Sequence, residues 1–507
     1  VLPNNGDGDF TFNRDSSATR VGQNGLIQEV GFFGSNIVQN GDFSDSSNWT
    51  LSTPWNIANG KANYDDTSTN AMYQNGVTIA AGKSYKVTFT ISNASSTAHM
   101  TIFDYASSDV LLANENWANG TYERIFTSTN NETGISVWGN TAGSSFSIDN
   151  VSLQEVTGDQ PRLNYDISNG VVQSCPSLLL EPASTNLVTY SEDLSNSSWN
   201  KQNGGTGSVP TVTSNYSVSP DGTQNADRVI FNLNNGTANA DVSQLAVTIG
   251  SVSSANYSNS VYIKSNTAND YALVITEPSG SHHTKTITNQ WQRFDASSSN
   301  ATNVSFRIRL RGDESTSDYA DVSIFGAQVE QQSYPTSYIP TNGSSQTRAA
   351  ETCFGAGNAA TFNDSEGVLY AEIAALANND SGRFISLSDG SNNNRILLGY
   401  LGSNNTLRAE IYVGGGSAQA TLDLNLSSQK TNIKTALKYK ANDFALWVNG
   451  VEVAVDANGN TFPNGVLTQL DFDSALLSQQ PFYGNTKDIR VYNEALTDAQ
   501  LQTLTTL

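Results

Sequence analysis

The sequence predicts an all-β protein, three β-sandwiches joined by extended straps, and three observations predict it. The first is composition: of 507 residues only 14% are charged and 37% hydrophobic, while 20 Tyr, 20 Phe and 40 Gly are spread along the chain. β-Branched, hydroxyl and aromatic side chains suit half-buried pleated surfaces, whereas disorder would leave few aromatics. The second is patterning: from about Ile37 short apolar/polar alternations are separated by Asn, Gly and Ser turns, the period of strands. The third is an echo: FSDSSNW at 43–49 returns as LSNSSW at 194–199. The length suits about three domains of roughly 150 residues.

The elements follow in order. YKVTFTIS (85–92), HMTIFDY (99–105), YERIFTS (122–128), GISVWG (134–139) and FSIDNVSL (146–153) read as strands of a first sandwich. In the second, SNSVYIKS (258–265) answers YKVTFTIS, WQRFDAS (291–297) answers YERIFTS, VSFRIRL (304–310) answers GISVWG, and VSIFGAQVE (322–330) answers FSIDNVSLQ. With the opener, five correspondences in one order imply an internal duplication. The third region, from Glu366, holds GVLYAEIAAL, GRFISLSD, NRILLGYL and LRAEIYVGGG. It continues into paired strands around Asn449-Gly450, a good two-residue hairpin turn. No helical period is convincing before the chain's end, where a short helix starts at Thr497 with Asp498 in its first turn.

A formal net charge of −22 argues against nucleic-acid partners and anionic membrane surfaces, and suits an extracellular protein. No apolar run approaches the ~18 residues of a membrane span, so no membrane insertion is expected. Cys175 and Cys353 are too few and too distant for a disulfide framework. VLPNNGDGDF has neither a basic n-region nor an apolar core, so no signal peptide is visible. The abrupt Val1 suggests that upstream residues are missing or processed, which leaves secretion open.

Three stretches fall outside the sandwiches: DFTFNRDSSATRVGQNGLIQEV (9–30), QPRLNYDISNGVVQSCPSLLLEPASTNL (160–187) and YIPTNGSSQTRAAE (338–351). The last contains SSQTR, an echo of SSATR at 16–20. They read as straps, with the first sandwich inserted between two halves of one strap system. FTFNRDSSATRV, GLIQEV, PRLNYD, CPSLLLEPASTNL, YSEDLSNSSW, FGAQVE and SYIPTNGSSQTRAAE together resemble a module of bacteriophage structural proteins of the head-spike or tail-fibre type. NGDFSD and SIDNVSL give residues 37–156 a resemblance to galactose-binding-like, carbohydrate-binding-module jelly rolls. YKANDFALWVNGVEV and GNTKDIRVYNEALTDAQL give 366–507 a resemblance to laminin-G/concanavalin-like sandwiches. The implied order is an N-terminal strap 1–36, a jelly roll 37–156, a strap 157–187, a second jelly roll 188–337, a linker strap 338–365 and the concanavalin-like sandwich 366–507.

Catalytic constellations are missing. Concanavalin-like glycosidases commonly carry ExDxxE on one strand, alternate carboxylates facing the cleft. Here the nearest pair, Asp471 and Asp473 in LDFDS, reads as exposed or turn-flanking. His99, His282 and His283 show no metal-ligand spacing, and there is no GxSxG or phosphate loop. A non-enzyme is expected.

Binding is the better-supported chemistry. Sugars present apolar C–H faces ringed by hydroxyls, so their sites pair aromatic platforms with polar side chains. The first sandwich offers Trp55, Tyr73, Tyr105, Trp117 and Trp138 as carbohydrate-binding candidates. Trp55, Trp117 and Trp138 lack counterparts in the second copy and are the expected exposed platform. Trp49 and Trp199 match and read as core anchors; Tyr122 and Trp291 also match, with core and platform both open. Trp447 reads as buried. The jelly-roll resemblance further implies a structural Ca²⁺ held by Asp149 and the opening segment. Ser44 replaces the expected Glu there, but Asp42 and Asp45 flank it. Phe325 stands in place of Asp149 in the second copy, where the site is expected to be lost.

By resemblance, the expected role is a virion-surface fibre, spike or decoration. It would bind bacterial surface polysaccharide or glycoprotein for host attachment, beside other virion proteins and as a homotrimer whose avidity strengthens weak sites. The alternatives are a purely structural capsid or tail component and a secreted bacterial polysaccharide-binding protein.

Overall fold

The computed structural model describes residues 10–507 apart from 15, 32, 82, 96–97, 105–109, 129–130, 140–144, 157–160, 169–170, 380 and 476–478. The fold is all-β, and its strand ladders are antiparallel. Among the described residues the only helix is Asp498–Thr505, and no helix is long and apolar enough to cross a membrane.

The first sandwich stacks two five-stranded sheets. One runs Val110–Trp117, Ala98–Asp104, Glu132–Gly139, Asn70–Ile79, Thr50–Leu51; the other runs Gly120–Thr127, Ser84–Ser92, Phe146–Glu155, Lys61–Tyr64, Asn56–Ala58. Strict alternation explains the layering: in Ser84–Ser92, Tyr85, Val87, Phe89 and Ile91 are buried while Lys86, Thr88 and Thr90 are not.

The second sandwich repeats this wiring with fewer, longer strands. Val242–Ser265 does the work of both Asn70–Ile79 and Ser84–Ser92, bending between Thr248 and Tyr257 where its register slips and Gly250 takes φ +98°. Likewise Gln292–Arg311 combines the roles of Gly120–Thr127 and Glu132–Gly139. The later half of Val242–Ser265 pairs with the early half of Gln292–Arg311 and with Tyr319–Glu330, as Ser84–Ser92 pairs with Gly120–Thr127 and Phe146–Glu155. The echoing tryptophans hold the same local bond. Trp49 Nε1 donates to Asn40 O at 3.0 Å and Trp199 Nε1 to Tyr190 O at 2.8 Å, and both indoles are buried.

The third sandwich faces a seven-stranded sheet with a five-stranded one. Asn449 and Gly450 take φ +50° and +83°, the left-handed pair that a tight hairpin turn requires. Thr497 caps the terminal helix through a capping box with Gln500. Leu501 then packs over Trp447, which is buried as expected.

The straps are structural members rather than loose links. Arg162–Asn164 and Ser177–Leu180 extend the seven-stranded sheet, Thr11–Asn13 pairs with Thr352–Phe354, and Ser184–Asn186 pairs with Gln346–Arg348. Where they meet, Arg14, Arg162, Arg348, Glu181 and Glu351 are all buried. Arg162 bonds both carboxylates, Arg14 Nη1 reaches Glu351 Oε1 at 2.7 Å, and Arg348 Nη1 reaches Glu181 Oε2 at 2.7 Å. Ser337 adds N–H and O–H donors to Glu181 at 2.8 and 2.7 Å. Burial by itself would raise the Glu181 pKa, but Arg348, Arg162 and these donors outweigh it and hold it at about 2. The motifs NRDSSATR, PRLNYD, LLLEP and SSQTRAAE thus supply one shared ionic knot.

Candidate functional site

The outward face of the first sandwich's sheet Val110–Trp117 to Thr50–Leu51 separates the aromatic candidates. On Glu132–Gly139, Ile135 and Val137 point into the core, so Ser136 and Trp138 point out. Tyr73 pairs with Ser136, and its neighbour Met72 is fully buried, so Tyr73 shares that outward face. Tyr73 and Trp138 are both partly exposed and stand diagonally across one ladder, a separation of about 7–8 Å.

Trp55 and Trp117 are corrections: they are 5% and 2% exposed and belong to the core. Trp55 Nε1 donates to Asn70 O at 2.9 Å, and its ring packs on Tyr64 and Phe146. Trp117 packs edge-on to Phe89 and Tyr122, with the Arg124 guanidinium 5.3 Å from its ring. The lack of counterparts in the second copy reflects different filling of two cores, not exposure. Tyr105 lies outside the described residues. Of the matched pair left open, Tyr122 is buried, while Trp291 is partly exposed beneath Lys264.

The same face of the second sandwich carries different chemistry. Phe306, Ile308 and Leu310 point inward, so Arg307, Arg309 and Arg311 line the outer side of one strand. A polar row crosses the sheet here. Gln244 Nε2 donates to Gln202 Oε1 at 2.8 Å, Arg309 Nη1 to Gln244 Oε1 at 3.1 Å, Arg309 Nη2 meets His282, and His282 Nδ1 lies 2.8 Å from Glu314 Oε1. Burial first, then repulsion by Arg311 and Arg307, brings the Arg309 pKa down to about 10. The alternation R-x-R-x-R within SFRIRLR was the signal for this row, and a search for aromatics alone passes over it.

The calcium expectation does not fit the side chains present. The opening segment does dock beside the strand bearing Asp149: Val151 N donates to Gly41 O at 2.8 Å, and a Cβ on Gly41 would stand 1.9 Å from Val151 O. But Asp45 bonds within its own loop, accepting from Ser47 N at 2.6 Å and Asn40 Nδ2 at 3.1 Å, and the Ser47 hydroxyl and N–H hold its pKa below the usual carboxylate range. Asp42 accepts from Ser44 N at 3.4 Å and Asp149 from Asn150 N at 2.7 Å. Among the described residues, no group of three or more His, Cys, Asp or Glu could hold a metal ion. In the third sandwich Asp471 and Asp473 are buried rather than exposed, and Asp473 flanks a turn, accepting from Ala475 N at 2.9 Å. Asp471 accepts from Gly355 N and Gln469 Nε2, both at 2.7 Å, and burial raises its pKa.

Residues 357–502 match the family described as the concanavalin A-like lectin/glucanases superfamily, Laminin_G_3. Among solved structures, the chain is similar to domain 4 of AbnA, a GH43 extracellular arabinanase of Geobacillus stearothermophilus, in complex with arabinotriose. The identity is 17% and the TM-score 0.25, covering 31% of this chain and 73% of that one. It is also similar to the CBM22-1–CBM22-2 tandem of Paenibacillus barcinonensis Xyn10C (10% identity, TM-score 0.20, 60% and 98% covered). A third similarity is to the tandem CBM51 modules of a Streptococcus pneumoniae family 98 glycoside hydrolase (10%, 0.18, 63% and 93%). No curated protein matches. The C-terminal sandwich, with its two facing sheets, is therefore concanavalin-like in fold, and residues 357–502 are similar in sequence to that superfamily.

Proposed function

We propose that the chain is a non-enzymatic glycan-binding protein of a bacteriophage particle, a fibre, spike or decoration attaching to bacterial surface polysaccharide or glycoprotein. The observation that carries the binding is the pair Tyr73 and Trp138, partly exposed on one outward sheet face. Such rings accept the C–H faces of neutral sugars. The lectin-family match of the third sandwich supports the same reading. The half-exposed Arg307 on the outer face of the second sandwich suits carboxylated or sulfated sugars, because a guanidinium binds such oxyanions through paired N–H donors. The virion setting rests on the strap motifs, and a homotrimer would add avidity to weak sites.

The test is a glycan array probed with wild type and with Tyr73→Ala/Trp138→Ala. Loss of neutral-glycan signal in the double variant is expected. Wild type that retains no glycan, or a double variant that binds as well as wild type, sinks the reading. A structural cementing role is the second reading, favoured by Leu163, Ile167 and Val171, which are 47%, 51% and 63% exposed on one strap.

A further inference from the structure

Where the N-terminal strap meets both jelly rolls lies a cleft of about 570 Å³, within the ~300–1,000 Å³ range of small-molecule sites. Phe33, Tyr122, Tyr190 and Tyr338 give it aromatic walls. Two of its cations pair with acids across the cleft. Lys86 Nζ lies 3.5 Å from Glu123 Oε1 and 4.0 Å over the Phe33 ring. Arg124 Nη2 lies 3.9 Å from Glu192 Oε2, and Glu192 also accepts from Tyr338 Oη at 2.9 Å and Asn225 Nδ2 at 3.0 Å. Asp193 and Asp221 are turned to their own loops, accepting from Ser195 N at 3.0 Å and Thr223 N at 2.7 Å.

A fifth acid lacks even such a donor on one of its oxygens. Glu29, on the strand Ile27–Val30, lines the cleft, and its Oε2 is shielded from solvent with no hydrogen-bond partner among the described residues. A buried carboxylate oxygen without a donor is costly, so the site is incomplete as it stands. We infer that this cleft binds a small hydroxylated molecule carrying one ammonium group, an amino sugar in chemical class, with Glu29 as the counter-ion. The ammonium supplies the missing donor and charge, the tyrosine and phenylalanine rings take the C–H face, and Gln28, Asn342 and Gln346 offer amides to the hydroxyls. Burial first, then Glu123 and Glu192, push the Glu29 pKa up to about 7 against the opposing pull of Lys86 and Arg124, so a cation is favoured over a neutral sugar near and above neutrality. The inference uses none of the residues of the two sheet faces, and its failure leaves the proposed function standing.

The test titrates the full chain at pH 7 with glucosamine, glucose and N-acetylglucosamine, followed by calorimetry and ligand-observed NMR. Glucosamine is expected to bind about tenfold or more tighter than either neutral sugar, the scale of one charge-assisted bond. Glu29→Gln, which keeps the shape and removes the charge, should abolish that preference while melting no lower than wild type. Equal affinity for the three sugars, no saturable glucosamine binding, or an undiminished glucosamine preference in Glu29→Gln would each overturn the assignment. Discrimination by wild type tests the claim independently of the variant's folding.

Discussion

Arg162 closes a two-pronged ion pair on Glu351 across 189 residues of sequence, its Nε donating to Oε1 at 2.7 Å and its Nη2 to Oε2. The same guanidinium bonds Glu181 Oε2 at 2.8 Å, Thr19 O at 2.8 Å and Ser337 Oγ at 2.6 Å, so one side chain joins all three straps. Desolvating these charges is expensive, and the knot is favourable only because almost every donor and acceptor is used.

Removing one partner should therefore cost more than removing a surface pair. Glu351→Ala leaves Arg14 and Arg162 underpaired in the interior and is expected to destabilise by about 3–5 kcal/mol. Arg162→Met/Glu351→Leu should recover part of that loss. Urea melts of the single and double variants check this. Equal stability of wild type and Glu351→Ala would show that the knot contributes nothing.

Acid should loosen the same junction. The Glu181 pKa is held at about 2 in the fold against an ordinary 4.5, so its stabilisation is complete above about 4.5 and lost as pH falls toward 2. The difference corresponds to roughly 3 kcal/mol for this buried group. The melting temperature of Glu181→Gln should start lower than that of wild type at pH 6 and converge with it below pH 3.

Glu29 acts with the opposite sign. Its pKa is raised from 4.5 to about 7, so the fold prefers its neutral form. Stability from this group is full below about 4.5 and declines as pH rises to 7. Glu29→Gln should melt at the wild-type temperature near pH 4 and above it at pH 8. Parallel pH profiles for the two proteins would contradict this.

The tryptophans of the first sandwich divide by burial. Trp55→Ala and Trp117→Ala should each cost about 3–5 kcal/mol through lost packing. Trp138→Ala should cost much less and act on glycan retention instead. Differential scanning calorimetry beside the array separates the two effects, and a melting loss at Trp138 equal to that at Trp55 would count against the outward platform.

Calcium dependence is expected to be small, because Asp42, Asp45 and Asp149 bond within their own turns. Adding EDTA should leave the melting temperature of the protein unchanged. A fall of several degrees would mean that backbone carbonyls complete a cation site at the opening segment.

Local chemistry was legible in the sequence, and long-range chemistry was not. Period-two alternation marked the strands, the ordered echoes marked the duplication, Asn449-Gly450 marked a hairpin and Thr497 a helix start, because each depends on neighbours a few residues away. Alternation says which residues share a face, but register against distant strands decides which face meets the core. That is why Trp55 and Trp117 were expected outside and lie inside, while Trp138, on a strand whose other face holds Ile135 and Val137, stays partly exposed. The strap motifs were visible as repeated text, yet their purpose needed the fold. Only tertiary structure brings Arg14, Arg162 and Arg348 to Glu181 and Glu351, and only it leaves Glu29 Oε2 without a hydrogen-bond partner among the described residues, in a cleft lined by distant segments, because the pairing of buried charges is set by distances in space that sequence spacing does not encode.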